Sequence, residues 1–261
     1  YLSTFADITA SASGTVNLNA QNGEINRYNM EVEDYGLLGY WSFDTYYSYY
    51  IWDDSGNGYY GYTYGGLTAT DGISGQALNF DGVNDYINFY RNFALGSGDF
   101  TLIAWYNGLQ NELYAGLLGA VPYPGTSQGY AMEINAGVLR FWMNGMPYDS
   151  SVAVNDGYWH QLSVVRSGDI ATLYAFGSGL ETMDEFSVGT GSIDSSNSFW
   201  IGGWGSTKHL LQGAVDEVRV YESELSGLEI YSQTLIAPGD GRINAGTVNL
   251  NAATGINVAF G

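Results

Sequence analysis

The stretch 71–90, DGISGQALNFDGVNDYINFY, decides how the chain is read. Leu78–Phe80 and Tyr86–Phe89 are short apolar runs. Asp81-Gly82-Val83-Asn84-Asp85 between them consists mostly of turn formers, so the segment predicts two strands joined by a hairpin-like turn. Upstream stand GLLGYWSFD (36–44) and DDSGNGYYG (53–61). Downstream follow DGYWHQLSVVR (156–166), IGG (201–203) and GAVDEVRVYESELSGLEI (213–230). Alternation exposes further strands. In Ile170–Phe176 the residues Ile170, Thr172, Tyr174 and Phe176 share one face, with Ala171, Leu173 and Ala175 on the other. Phe100–Trp105 and Gly137–Met143 read the same way. Gly-rich punctuation between such runs has the spacing of an all-β sandwich. The one helical signature is Ser226 followed by Glu229, a capping box that predicts a turn or two of helix over Ser223–Tyr231.

The 261 residues suffice for one large all-β domain with extensions, and 45% hydrophobic residues allow a substantial core. Only 13% are charged, against about 25% in ordinary soluble domains, so the surface is mostly neutral and polar. The balance of 27 acids to seven bases gives a net charge of −20. That excludes nucleic acid as a partner, since phosphate binding needs a basic footprint, and makes divalent cations natural ones. Without cysteine there is neither a disulfide framework nor a thiolate metal site. No apolar run approaches the roughly 18 residues of a membrane span. A chain opening at Tyr1 suits a processed secretory product or an incomplete sequence, and an extracellular or cell-surface location is expected.

Taken in order, the quoted blocks resemble the laminin-G-like branch of the concanavalin A-like lectin/glucanase superfamily. The resemblance implies an all-β fold, a two-sheet antiparallel jelly-roll sandwich over 37–231. Strand-forming extensions flank it at 1–36 and 232–261, the latter entered through Ala237-Pro238-Gly239. It also implies binding, adhesion or assembly outside cells, with catalysis confined to some branches. The glucanase branch carries paired carboxylates on one strand face, usually as ExDxE, to act as nucleophile and acid. No such triplet exists here, and neither histidine lies in a nucleophile-elbow context, so no catalytic residues are assigned.

Asp216 is the strongest local anomaly. Ala214, Asp216, Val218 and Val220 alternate, which sets a carboxylate in an apolar face, where it must acquire a cation or several donors. In related β-glucanases the corresponding aspartate ligates a structural calcium with help from backbone carbonyls. By resemblance Asp216 is a Ca2+ candidate, with carbonyls near Gly39–Trp41 and Asp81–Asn84. The alternative is an aspartate that accepts backbone N–H bonds without metal. Asp53, in a segment like half of an EF-hand loop, together with Asp81 and Asp44 are further candidate ligands. Their Asx-Gly surroundings are first of all turn formers.

Two other features bear on function. GTVNLNA occurs at 14–20 and again, identically, at 246–252. Val16 and Leu18, Val248 and Leu250, and then Ile256 and Val258 each mark an alternating strand that needs a neighbour. The two tails can pair with each other as a satellite sheet, or one can add to an adjacent copy as a donor strand. Tyrosine is concentrated at positions 46, 47, 49, 50, 59, 60, 62 and 64, more than one inner face can use. Tyr49, Tyr50, Tyr60 and Tyr62 are therefore candidate interface or glycan-stacking aromatics. Trp204, beside Lys208 and His209, is a candidate exposed recognition residue, with a loop anchor as its alternative. The expectation is a non-enzymatic extracellular subunit that self-assembles into a homopolymer through its extensions and Tyr-rich surface. The alternative is a calcium-dependent, glycan-binding lectin or adhesion module.

Overall fold

The structure is a computed structural model that describes residues 8–10, 14–19, 25–26, 36–121, 128–177, 180–204, 209–234, 242–243, 247–252 and 256–258. The junction Ala237-Pro238-Gly239 lies outside these. The chain forms two compact units, one of Tyr35–Leu225 and one of Tyr1–Asp34 with Ser226–Gly261.

The larger unit is a sandwich of two antiparallel sheets. One has nine strands, in the spatial order Met146–Ala153, Val138–Met143, Tyr130–Asn135, Ala115–Gly119, Trp200–Ile201, Tyr86–Asn88, Gly61–Tyr64, Tyr50–Ile51 and Tyr46–Tyr47. The other runs Leu180–Ser187, Ile170–Gly177, His160–Ser167, Phe100–Asn107, Gln212–Tyr221, Gln76–Asp81 and Thr68–Asp71, with Leu37–Trp41 also paired to Gln212–Tyr221. Alternate residues of both sheets meet in one core: Phe100, Leu102, Ala104 and Tyr106 from one, Tyr130, Met132 and Ile134 from the other. Ala171, Leu173 and Ala175 are buried while Ile170 is exposed, as the alternation predicts. Trp41 anchors one end of the core. Its ring packs on Phe89, Phe93 and Phe199 at 4.7, 6.0 and 5.8 Å, and its Nε1 donates to the Tyr59 carbonyl at 2.8 Å.

Two local expectations are corrected. Asp81–Asp85 does not close a hairpin. Gln76–Asp81 belongs to one sheet and Tyr86–Asn88 to the other, so the turn arches between sheets. Asp81 accepts from the Val83 and Asn84 N–H groups, and Asp85 accepts from the Asp81 N–H. The alternation read over 214–220 is also broken. Opposite Phe100–Asn107 the register jumps from Trp105↔Asp216 to Ile103↔Arg219. Glu217, at φ 52°, supplies the extra residue of a β-bulge. The core face is therefore Val215, Val218 and Val220, and Asp216 does not share it.

In the smaller unit the helix Gly227–Thr234 opens on the expected capping box. Ser226 Oγ and N both donate to Glu229 Oε2, and the Glu229 N–H returns to Ser226 Oγ. The two GTVNLNA copies pair with each other, antiparallel, with Val16 opposite Leu250 and Leu18 opposite Val248. Ile8–Ala10 pairs with Ile256–Val258, and Ile25–Asn26 with Arg242–Ile243. The facing of their side chains lies outside the described residues. No helix among the described residues is long and apolar enough to cross a membrane.

Candidate functional site

The nine-stranded sheet turns one face to the core and carries aromatic rings on the other. Register explains why. Tyr47 lies opposite Tyr50, Tyr50 opposite Tyr62, and Tyr64 opposite Tyr86, so tyrosines of four neighbouring strands share one side. Their sequence neighbours Ile51 and Ile87 point into the core. The rings form a continuous path. Tyr47 stacks on Tyr50 at 5.6 Å, Tyr50 meets Trp52 at 5.3 Å, Trp52 meets Tyr60 at 6.5 Å, and Tyr60 meets Tyr62 at 5.7 Å. Tyr62 touches Tyr90 at 5.6 Å, Tyr64 stacks on Tyr86 at 4.6 Å, and Tyr86 reaches Trp200 at 5.3 Å. The Tyr64 and Tyr90 hydroxyls hydrogen-bond to each other. Tyr49 is 77% exposed and Trp52 53%, while Tyr47, Tyr60, Tyr62 and Tyr90 are also exposed. Rings that touch one another yet stay wet offer amphipathic area at low entropic cost, the usual makeup of a recognition surface.

Of the predicted aromatics, Tyr50, Tyr60 and Tyr62 join this path, and Tyr49 stands exposed in the turn just before Tyr50. Trp52 and Tyr47 were visible within the same cluster. Tyr86, Tyr90 and Trp200 were not singled out, since only strand pairing brings them to this face.

Trp204 is corrected: it is 2% exposed and anchors its loop. It packs with Val121, Ala131 and Trp142. A Cβ at Gly116 would sit 2.6 Å from its ring, so the glycine there makes room for the indole. Next to this cluster lies Glu133, fully buried, whose Oε1 accepts from Trp142 Nε1 at 2.5 Å. Arg140 forms a two-point pair with Asp149, stands 3.8 Å from Glu133, and lies over the rings of Tyr114 and Trp142. Burial pushes the Glu133 carboxyl up to about 7, against the Trp142 hydrogen bond and the Arg140 charge, which both lower it.

The candidate calcium ligands are placed as follows. Asp216 is fully buried. Its Oδ2 accepts from the Ile73 and Ser74 N–H groups at 2.9 and 3.2 Å, and its Oδ1 from the Glu217 N–H at 2.8 Å. Asp44 holds the same turn through the Gln76 N–H. Asp53 accepts from the Tyr40, Ser55 and Tyr59 N–H groups, and Asp81 caps its own turn. Among the described residues no three acidic or histidine side chains gather where they could hold a metal. The partners of Asp216 among the described residues are backbone N–H donors. Burial drives the Asp216 carboxyl up to about 7, with the Ser74 N–H opposing and the Glu217 charge assisting.

Solved structures with this architecture include the binding domain of Paraclostridial Mosquitocidal Protein 1, with a TM-score of 0.60 and 18% identity over 77% of this chain and 52% of that one. Domain 4 of AbnA, an extracellular arabinanase from Geobacillus stearothermophilus, solved in complex with arabinotriose, gives 0.57 and 20% over 76% and 98%. The binding domain of Botulinum Neurotoxin DC in complex with SialylT gives 0.56 and 10% over 76% and 51%. The chain thus spans about half the length of the two toxin domains. No curated protein matches it in sequence. At these identities the likeness establishes the fold. Residues 81–231 match the Laminin_G_3 family, described as the concanavalin A-like lectin/glucanases superfamily, and to that superfamily the chain belongs.

Proposed function

We propose that the chain is a non-enzymatic, extracellular carbohydrate-binding module whose ligand lies on the aromatic face of the nine-stranded sheet. The observation that carries this reading is the unbroken run of wet rings from Tyr47 to Tyr90. Aromatic faces stack on the apolar C–H faces of sugar rings, and phenol hydroxyls hydrogen-bond at the rim. The arabinotriose complex of a domain with this fold supports the same direction. A glycan array probed with the full chain and with Trp52→Ala/Tyr60→Ala tests it. Both side chains are exposed, so the double variant should melt like the wild type while losing its glycan signals. Equal signals from both proteins would remove the aromatic face from the account.

Assembly through the extensions is the second reading. What supports it is that among the described residues the tail strands pair only two by two, and strand edges without a further neighbour invite another chain. Light scattering over a concentration series should then find mass growing with concentration in the full chain and not after removal of residues 1–20. A constant monomer mass would dismiss it.

A further inference from the structure

The aromatic face also constrains the kind of sugar it takes, an inference that rests on the reading just proposed. We infer that the face binds an uncharged, linear oligosaccharide laid across the strands, and that it discriminates against anionic glycans.

The direction follows from the order of the rings. The path crosses from strand to strand, from Tyr46–Tyr47 through Tyr50–Ile51, Gly61–Tyr64 and Tyr86–Asn88 to Trp200–Ile201, and only the steps Tyr50–Trp52 and Tyr60–Tyr62 run along a strand direction. Four inter-strand steps cover about 19 Å. A single sugar covers one ring, so a path of this length is matched only by a chain of several sugars.

The arrangement of the rings selects a flexible chain over a flat crystalline surface. Successive rings are inclined at 87°, 60°, 72° and 74° from Tyr50 to Tyr90, so they share no common plane. A soluble chain can turn each sugar to meet its own ring, which a rigid sheet of packed chains cannot do.

Charge selects neutrality. The chain carries −20, and its described arginines in the sandwich are committed elsewhere. Arg140 is paired with Asp149, and Arg219 with Glu217. Arg166 donates to the Gly168, Gly189 and Gly191 carbonyls, and Arg91 lies over Tyr59. None takes part in the ring path. The polar groups along it are mostly phenols, and the Tyr64 hydroxyl is pushed up to about 12, first by its hydrogen bond with Tyr90. A carboxylated or sulfated sugar would therefore meet a negative protein in which, among the described arginines of the sandwich, only Arg91 is exposed, and it already lies over Tyr59.

Calorimetry on the full chain tests this with matched sets: neutral oligosaccharides of one to six sugars taken from the array hits, and sulfated or sialylated forms of the same backbones. The expected result is affinity that rises with length until the rings are covered. Anionic forms should bind about tenfold or more weakly, with the gap narrowing as salt screens the repulsion. Tyr62→Ala, in mid-path, should flatten the length dependence. Anionic forms binding as tightly as neutral ones, or a monosaccharide binding as tightly as the hexamer, would overturn this inference and leave the carbohydrate-binding reading standing. If no member of either set binds at millimolar concentration, both fail together.

Discussion

Trp41→Ala will destabilise the sandwich by about 3–5 kcal/mol, the range for truncating a large buried aromatic. Trp41 is fully buried, and three phenylalanines lose their contact with it at once. The variant also leaves the Tyr59 carbonyl without its indole donor, and a buried acceptor left unpaired costs further free energy. Tyr59 directly precedes Tyr60, so the damage reaches the strand that carries the exposed rings. Trp41→Phe separates the two contributions. It keeps most of the ring volume and loses the hydrogen bond, so about 1–2 kcal/mol is expected. Urea unfolding of the three proteins checks the order. A Trp41→Ala variant within about 1 kcal/mol of the wild type would mean that the cluster is not packed as described.

The second large effect is a loss of stability as pH rises from about 4 to 7. Glu133 and Asp216 are each raised to about 7 by burial, from ordinary values of 4.5 and 3.8. Between those limits the folded chain holds protons that the unfolded chain has already released. Stability from these groups is thus fully present below the unfolded values and declines as pH climbs through the folded ones. Glu133 accounts for up to about 3 kcal/mol and Asp216 for up to about 4 kcal/mol. Asp81 and Asp156 act in the opposite sense. Both are lowered, Asp81 first by the Val83 N–H and Asp156 by its His160 partner against desolvation. Their contribution is lost only as pH falls below the ordinary aspartate range. Maximum stability is therefore expected near pH 4–5.

Thermal melts at pH 4.5, 6 and 7.5 check this. Glu133→Gln keeps an acceptor for Trp142 and removes the charge, so its decline should be shallower. Wild-type stability that rises through this window would contradict the placement of both carboxylates. The same melts address calcium. The N–H donors around Asp216 lead to the expectation that millimolar Ca2+ leaves the pH 7.5 melt unchanged. A rise seen in the wild type and lost in Asp216→Asn would make Asp216 a ligand.

Much of the fold was legible because local pattern and global architecture agree. Period-two alternation placed Ala171, Leu173 and Ala175 inside, and Ser226 with Glu229 marked the helix start. The bulge at Glu217 was not legible. Nothing in AVDEVRV announces an extra residue: the Glu217 carboxylate accepts from the Arg219 guanidinium two residues on and from the Tyr40 hydroxyl, and the latter is far away in sequence. The inter-sheet arch at Asp81–Asp85 was hidden for a similar reason, since the same Asx-Gly chemistry closes hairpins and arches alike. The aromatic surface was half legible. Tyrosine crowding over 46–64 signalled exposure, but the arrival of Tyr86, Tyr90 and Trp200 at the same face depends on which strands become neighbours. For Trp204, beside Lys208 and His209, the sequence left an exposed recognition ring and a loop anchor both open. The space that receives its indole is made by Gly116, far away in sequence.

Ligand on the wet rings of the nine-stranded sheet would be seen in a crystal structure of the full chain with its best-bound neutral oligosaccharide. Successive sugars lying over Trp52, Tyr60 and Tyr62, with the chain running across the strands, is the predicted result. A well-ordered sugar bound at another part of the sandwich, with these rings left bare, would contradict it.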